Sequence, residues 1–220
     1  MSKIKTKDDL IAYIDKLMAQ RRLEIHYLKS ILESKKGSKE NTVLSKALIL
    51  ISYSHFEGFI KEVSSRYLDY VNFLSLPRKE LSLKMNAVLL AWIGEVPKKQ
   101  CKKDTTENIL EYISNDNSHL KFESGPLTNP ESNLKSDVLL KIINDVGGQD
   151  NCFDEGDIFF LENKLLKYRN CFAHGDNNYI KVEDAIKIAN KTLNLMSKYK
   201  DMIENMIAVE IYKRNPIAHF

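Results

Sequence analysis

The sequence predicts an all-α fold, a bundle of long helices with an irregular insertion at about residues 95–135. Three observations carry that prediction. Apolar residues recur at spacings of three, four and seven through most of the chain, as they do on helices that bury one face. No convincing run of period-two alternation bounded by hairpin turns occurs. Only 8 glycines and 5 prolines stand in 220 residues, too few for a turn-dense all-β chain. Hydrophobic residues at 43% and charged residues at 29% are ordinary values for a globular protein with a real core. We see no interdomain linker and read residues 1–220 as one domain: an N-terminal helix and loop (1–40), a bundle (42–209) and a C-terminal tail (210–220).

The first helix is expected over Asp8–Ser34, with Leu10, Ile14, Leu17, Met18, Ile25, Leu28 and Leu32 at helical spacing. Thr6 and Asp9, three residues apart, supply its N-terminal cap. The polar stretch Lys35–Asn41 contains Gly37 and reads as a loop. A second helix follows to about Leu74, with Val43, Ala47, Leu50, Phe56, Phe59, Val63, Tyr67 and Val71 as inward positions. Gly58 within it costs about 1 kcal/mol relative to alanine, so either close packing compensates or the helix bends there. After Pro77, a third helix is expected over Arg78–Ile93, ended by Gly94 and Pro97. The insertion holds one short helix near Thr106–Ile113. Ser136–Val146 reads as a short helix with Ser136 as N-cap and Gly147-Gly148 as its stop. From Asp154, Ile158, Leu161, Leu165 and Tyr168 recur helically up to Arg169-Asn-Cys-Phe-Ala-His-Gly175. A long last helix is expected from Val182 to Val209, with Ala185, Ile188, Thr192, Leu195, Tyr199, Met202 and Met206 along one side.

Charge and cysteine content narrow the function classes. The 33 basic and 30 acidic side chains leave a formal +3, so any basic groove must come from local arrangement. Cys101, Cys152 and Cys171 lie 51 and 19 residues apart with no CxxC spacing. Neither a zinc site nor a disulfide framework is expected, and a reducing cytoplasm fits. The charged start Met1–Asp9 lacks the apolar stretch of a signal peptide. The longest uninterrupted apolar run, Ala87–Ile93, is seven residues, against the roughly 20 that span a bilayer. The expectation is a cytoplasmic protein with no membrane partner.

The chemistry is concentrated in Lys164-Leu-Leu-Lys-Tyr-Arg-Asn-Cys-Phe-Ala-His-Gly-Asp176. Arg169 and His174 stand five residues apart at the predicted end of a helix, and Gly175 is placed to release the chain. Five residues is about 500° of helical rotation, so the pair does not share a face of a regular helix. Convergence on one ligand needs the helix to end between them, or a second chain to complete the site. Histidine exchanges protons near neutrality, and arginine offers a planar fork for phosphate. RNA already carries its nucleophile in the 2′-hydroxyl, so these two side-chain types suit its cleavage. No carboxylate cluster accompanies them, so a two-metal mechanism has no visible ligands and no cofactor is expected. On spacing alone, a structural or solvated Arg–His pair is the commoner outcome.

The string Arg169-Asn-Cys-Phe-Ala-His-Gly175 resembles the signature of the HEPN superfamily: Arg, four to six residues with a polar one first, then His. Two further segments resemble one prokaryotic branch of it, Ser54-His-Phe-Glu-Gly-Phe-Ile-Lys-Glu62 and Ser132-Asn-Leu-Lys-Ser-Asp-Val-Leu-Leu140. The similarity touches most of the chain from about residue 42 to 205. It implies a helical bundle that dimerises, with the motifs of both subunits lining a shared cleft. It implies a metal-independent endoribonuclease of a toxin or antiviral-defence system, or a non-catalytic binding module, with RNA as substrate and an antitoxin or defence protein as a further partner. Carried over by position, His174 is the acid/base, Arg169 stabilises the phosphate charge, and Asn170 orients His174 or the phosphate.

Other candidates are weaker. Lys98, Lys99, Lys102 and Lys103 either grip RNA phosphates or belong to a solvated loop, since no aromatic is interleaved to stack a base. Arg214 and His219 repeat the spacing, but Pro216 breaks any helix between them. His55 reads as an interior or dimer-contact histidine, Glu57 as a structural hydrogen-bonding group, and His26 and His119 as surface residues. Cys171 reads as a small apolar filler and Trp92 as core.

Overall fold

The computed structural model describes residues 4–35, 37–95, 102–119, 133–175 and 178–214. Among them no strand occurs, only an isolated bridge between Leu81 and Lys213. The fold is all-α. Its helices are α1 (Lys7–Ser34), α2 (Asn41–Leu74), α3 (Leu83–Glu95), α4 (Lys102–Ser114), α5 (Ser136–Asp145), α6 (Glu155–Phe160), α7 (Lys167–Ala173) and α8 (Val182–Ala208). A π-helical turn (Leu161–Leu166) joins α6 directly to α7.

α2 is the axis of the bundle. Its Phe56, Phe59, Ile60, Val63 and Tyr67 are fully buried, each contributing about 1.5–3 kcal/mol of hydrophobic stabilisation. α1 runs antiparallel to it, pairing Tyr13 with Glu62 and Arg21 with His55. α8 lies across both. Lys29 donates to Asn190 at 2.6 Å and Asp15 pairs with Lys200 at 3.0 Å, so α8 is antiparallel to α1. The buried Ser64 and Tyr199 hydroxyls meet at 2.5 Å, and since α2 and α8 both run antiparallel to α1, they are parallel to each other. α7 crosses the remaining flank of α2, opposite in direction, with Phe172 near Lys46 and Arg169 near Tyr53. Among the described residues α2 is the one helix long and apolar enough to cross a membrane. Its place at the centre of the core accounts for that apolar character.

Local sequence explains the ends. Thr6 and Asp9 form the expected reciprocal cap of α1. Asp154 and Asp157 form a second one at α6. Asp157 is 1% exposed; it is neutralised by Lys191 at 2.5 Å and by Lys198. Lys198 also holds Asp154 at 2.9 Å and draws its carboxyl down to about 2, chiefly through that hydrogen bond.

Four expectations change. The third helix does not start at Arg78: a 3-10 turn (Arg78–Glu80) precedes a break at Leu81. There Arg214 N–H bonds the Glu80 carbonyl and Ser82 N–H bonds the Tyr212 carbonyl. Ser136 is not the N-cap of α5, since Lys135 holds that position; Glu162 accepts the Ser136 N–H at 2.7 Å and replaces a local cap with a tertiary one. Val43, expected inward, is exposed, and Ala47 and Leu50 are half-buried, because the inward face of the first turns of α2 runs through Ser45, Leu48, Ile49 and Ser52 instead. Tyr212, assigned to the tail, is buried with its ring edge-on to Tyr67 and Tyr70. Trp92 is half-buried against the core.

Candidate active site

α7 carries Arg169 and Asn170, and His174 is its C-cap. The His174 N–H bonds the Asn170 carbonyl at 3.1 Å, and Gly175 N–H bonds that of Phe172 at 3.3 Å. Gly175 then adopts φ +79°, a left-handed conformation that glycine reaches without penalty. The imidazole of His174 is left exposed at the helix end.

Arg169 is half-buried and held from two sides. Its guanidinium lies over the Tyr53 ring, 5.0 Å from the centroid. Its Nη1 donates to Asn170 Oδ1 at 3.0 Å. The same oxygen accepts from Asn133 Nδ2 at 3.2 Å. Next to Asn133, the Leu134 N–H donates to the Tyr53 hydroxyl at 2.8 Å. Tyr53 is 3% exposed. Burial, with the Glu57 carboxylate one turn along α2, pushes its hydroxyl well above the usual tyrosine range. Beside this cluster Phe172 stacks on Tyr168, with centroids 5.6 Å apart, and Lys46 Nζ stands 5.4 Å from the Phe172 ring.

Two of the three segments singled out above therefore meet, the corner before α5 at Asn133–Leu134 and the motif helix at Arg169–Asn170, and Tyr53, the residue just before the remaining one, joins them from α2. The Asn170 side chain bonds Arg169 and Asn133. Among the described residues Arg169 and His174 share no hydrogen bond, and α7 holds both at the rotation their spacing dictates. Tyr53, Asn133 and Lys46 were not singled out individually from sequence. Tyr53 directly precedes the first family-like segment and Asn133 lies inside the second, and those positions were the available signal.

The other candidates are elsewhere. Lys98, Lys99 and His219 lie outside the described residues. Lys102 and Lys103 open α4, but their side chains lie outside them too. Arg214 is exposed beside the Leu81 bridge. His55, about 200° around α2 from Tyr53, faces a separate groove of about 660 Å³ lined by Tyr13, Arg21, Glu24, Glu62 and Arg66. There Nε2 lies 3.1 Å from Glu24, while burial above all, and Arg21 beside it, hold its pKa below the usual histidine range. His119 Nδ1 donates to the Ser75 carbonyl at 2.8 Å, and His26 is exposed. Among the described residues no three His, Cys, Asp or Glu side chains gather as a metal cluster.

A helical bundle with an Arg-x4-His motif closing one helix defines a HEPN-type protein. The chain matches the HEPN_MAE_28990-like HEPN family model over residues 11–212 and belongs to that family. No curated protein and no solved structure matches it.

Proposed function

We propose that the chain is a metal-independent endoribonuclease of a toxin or antiviral-defence system, working in the cytoplasm as a homodimer whose two motifs line one cleft. What supports this reading most is the meeting of Arg169 and Asn170 with Asn133 of the second family-like segment and with Tyr53, the residue just before the first. The half-buried guanidinium sits in a pre-arranged site, where charge stabilisation needs little reorganisation. The exposed imidazole of His174 is free to meet substrate.

In the reaction His174 takes the proton of a 2′-hydroxyl, whose oxygen attacks the adjacent phosphorus. Arg169 neutralises the charge that builds on the phosphoryl oxygens, and Asn170 keeps the fork turned toward them. The P–O5′ bond breaks and the leaving oxygen is protonated, a step the second imidazole of a dimer serves. The products carry 2′,3′-cyclic phosphate and 5′-hydroxyl ends. Lys46, together with Lys98, Lys99, Lys102 and Lys103, supplies phosphate contacts along the strand, and an antitoxin or other defence protein restrains the activity.

Arg169→Ala and His174→Ala are each expected to lower cleavage by about 100-fold or more while leaving helical content intact. Cleavage is expected to survive excess EDTA. Full activity in both variants, or complete loss on chelation, contradicts the mechanism.

One observation favours a second reading. The Arg169 guanidinium is engaged by Tyr53 and Asn170 and does not meet His174 within one chain. A non-catalytic HEPN module that holds RNA, a nucleotide or a protein would use the same surface. It would bind RNA with salt-sensitive affinity and generate no new termini.

A further inference from the structure

We propose that Tyr53 is a positioning residue for Arg169, its ring face fixing the guanidinium in the orientation that phosphate requires. The proposal rests on the nuclease reading and deepens it by naming what prepares the arginine. An arginine has many rotamers, and a donor that must be ordered during the reaction contributes less than one already in place. Arg169 is ordered in advance. The Tyr53 ring lies against the guanidinium at 5.0 Å, and Asn170 Oδ1 takes one Nη1 hydrogen at 3.0 Å. Among the described residues that is the one side-chain hydrogen bond the fork makes, and a guanidinium has five donors. The remaining donors stay available for phosphate oxygens.

The ring can serve as a platform because it is itself immobile. Tyr53 is 3% exposed on the central helix, and its hydroxyl is pinned by the Leu134 N–H at 2.8 Å. Burial and the nearby Glu57 keep that hydroxyl protonated, so a neutral aromatic face meets the cation. Asn133, on the same corner as Leu134, holds Asn170 from its far side. Arginine and tyrosine are thus locked to one another through a short closed circuit of α2, the corner before α5, and α7.

A tyrosine kept only to fill the core or to hold Leu134 would act differently from a platform, and substitution separates the cases. Tyr53→Phe keeps the ring and loses the hydroxyl bond. Tyr53→Leu removes the ring, and Tyr53→Met, longer and more adaptable, takes its place if the leucine variant fails to fold by circular dichroism. With purified protein and a single-stranded RNA, Tyr53→Leu or Tyr53→Met is expected to lower kcat about 10- to 100-fold with KM changed less than about threefold. Tyr53→Phe is expected to restore kcat to within about threefold of wild type. A folded ring-less variant with wild-type kcat, or a phenylalanine variant as impaired as the ring-less ones, overturns the proposal while leaving the nuclease reading in place. Absence of cleavage by the wild-type protein overturns both.

Discussion

Gly58 sits in the middle of the most buried helix, where glycine is unfavourable by about 1 kcal/mol. The Arg21 guanidinium explains it. A Cβ at residue 58 would lie 3.0 Å from Arg21 Nη1, so the missing side chain lets α1 lay its arginine across α2. There Arg21 donates to the His55 carbonyl at 3.3 Å and pairs with Glu62 at 3.3 Å. Gly58→Leu is expected to displace the guanidinium and destabilise the fold by about 1–3 kcal/mol, read by urea denaturation. An unchanged midpoint would show that the close approach is worth no more than the ~1 kcal/mol of helix propensity that leucine gains over glycine. Cys152 gives a second test at this scale. Burial pushes its thiol up to about 11, so a thiol reagent at pH 8 should spare Cys152 in native protein and label it in urea, as peptide mapping reads. The need for compensation at Gly58 was legible in the helical pattern, but its partner was not. Arg21 lies 37 positions earlier, and nothing in the pattern of a charged helix face says which arginine turns inward.

The helix carrying the motif is not a regular one. Ile158, Leu161, Leu165 and Tyr168 read as continuous helical spacing, yet Leu161–Leu166 forms a π-helical turn. Such a turn accommodates one residue beyond the α-helical repeat, and neither composition nor length betrays it. Its effect is to set the azimuth of Arg169 and Asn170 relative to α6. Deleting the exposed Asn163 should relax the turn to regular helix while leaving the azimuth of the motif nearly unchanged, because the π-turn absorbs that one extra residue. The expected result is a folded protein that still cleaves RNA, and loss of cleavage with the helix intact would show that the π-turn does more than absorb the extra residue. The capping box at the start of α6 also carries a pH signature. Lys198 holds Asp154 at about 2, below the ~4 of an unfolded aspartate. The stability this contributes is complete above about pH 4 and is lost as pH falls toward 2. Asp154→Asn keeps a good cap but removes the titration. Its melting temperature should depend less on pH across that window than that of wild type, and identical slopes would contradict the assignment.

At the scale of the molecule, helix periodicity and the short motif were enough to indicate an all-α HEPN fold, because both are local properties of the chain. The meeting of Tyr53, Asn133 and Arg169 was not legible, since those residues stand 80 and 36 positions apart and only the packing of α7 on α2 joins them. The closure of the core by Tyr212 was hidden for the same reason: a short tail without helical periodicity gives no sign that one ring will reach Tyr67 and Tyr70. The function proposed for this bundle depends on the Arg169 cluster and the exposed His174 acting together on RNA. The most direct measurement is end-mapping of a defined single-stranded RNA incubated in EDTA with wild-type, Arg169→Ala and His174→Ala protein. The account predicts new 2′,3′-cyclic-phosphate and 5′-hydroxyl termini with the wild type and about 100-fold fewer with either variant. Termini of another chemistry, or equal yields from all three proteins, would contradict it.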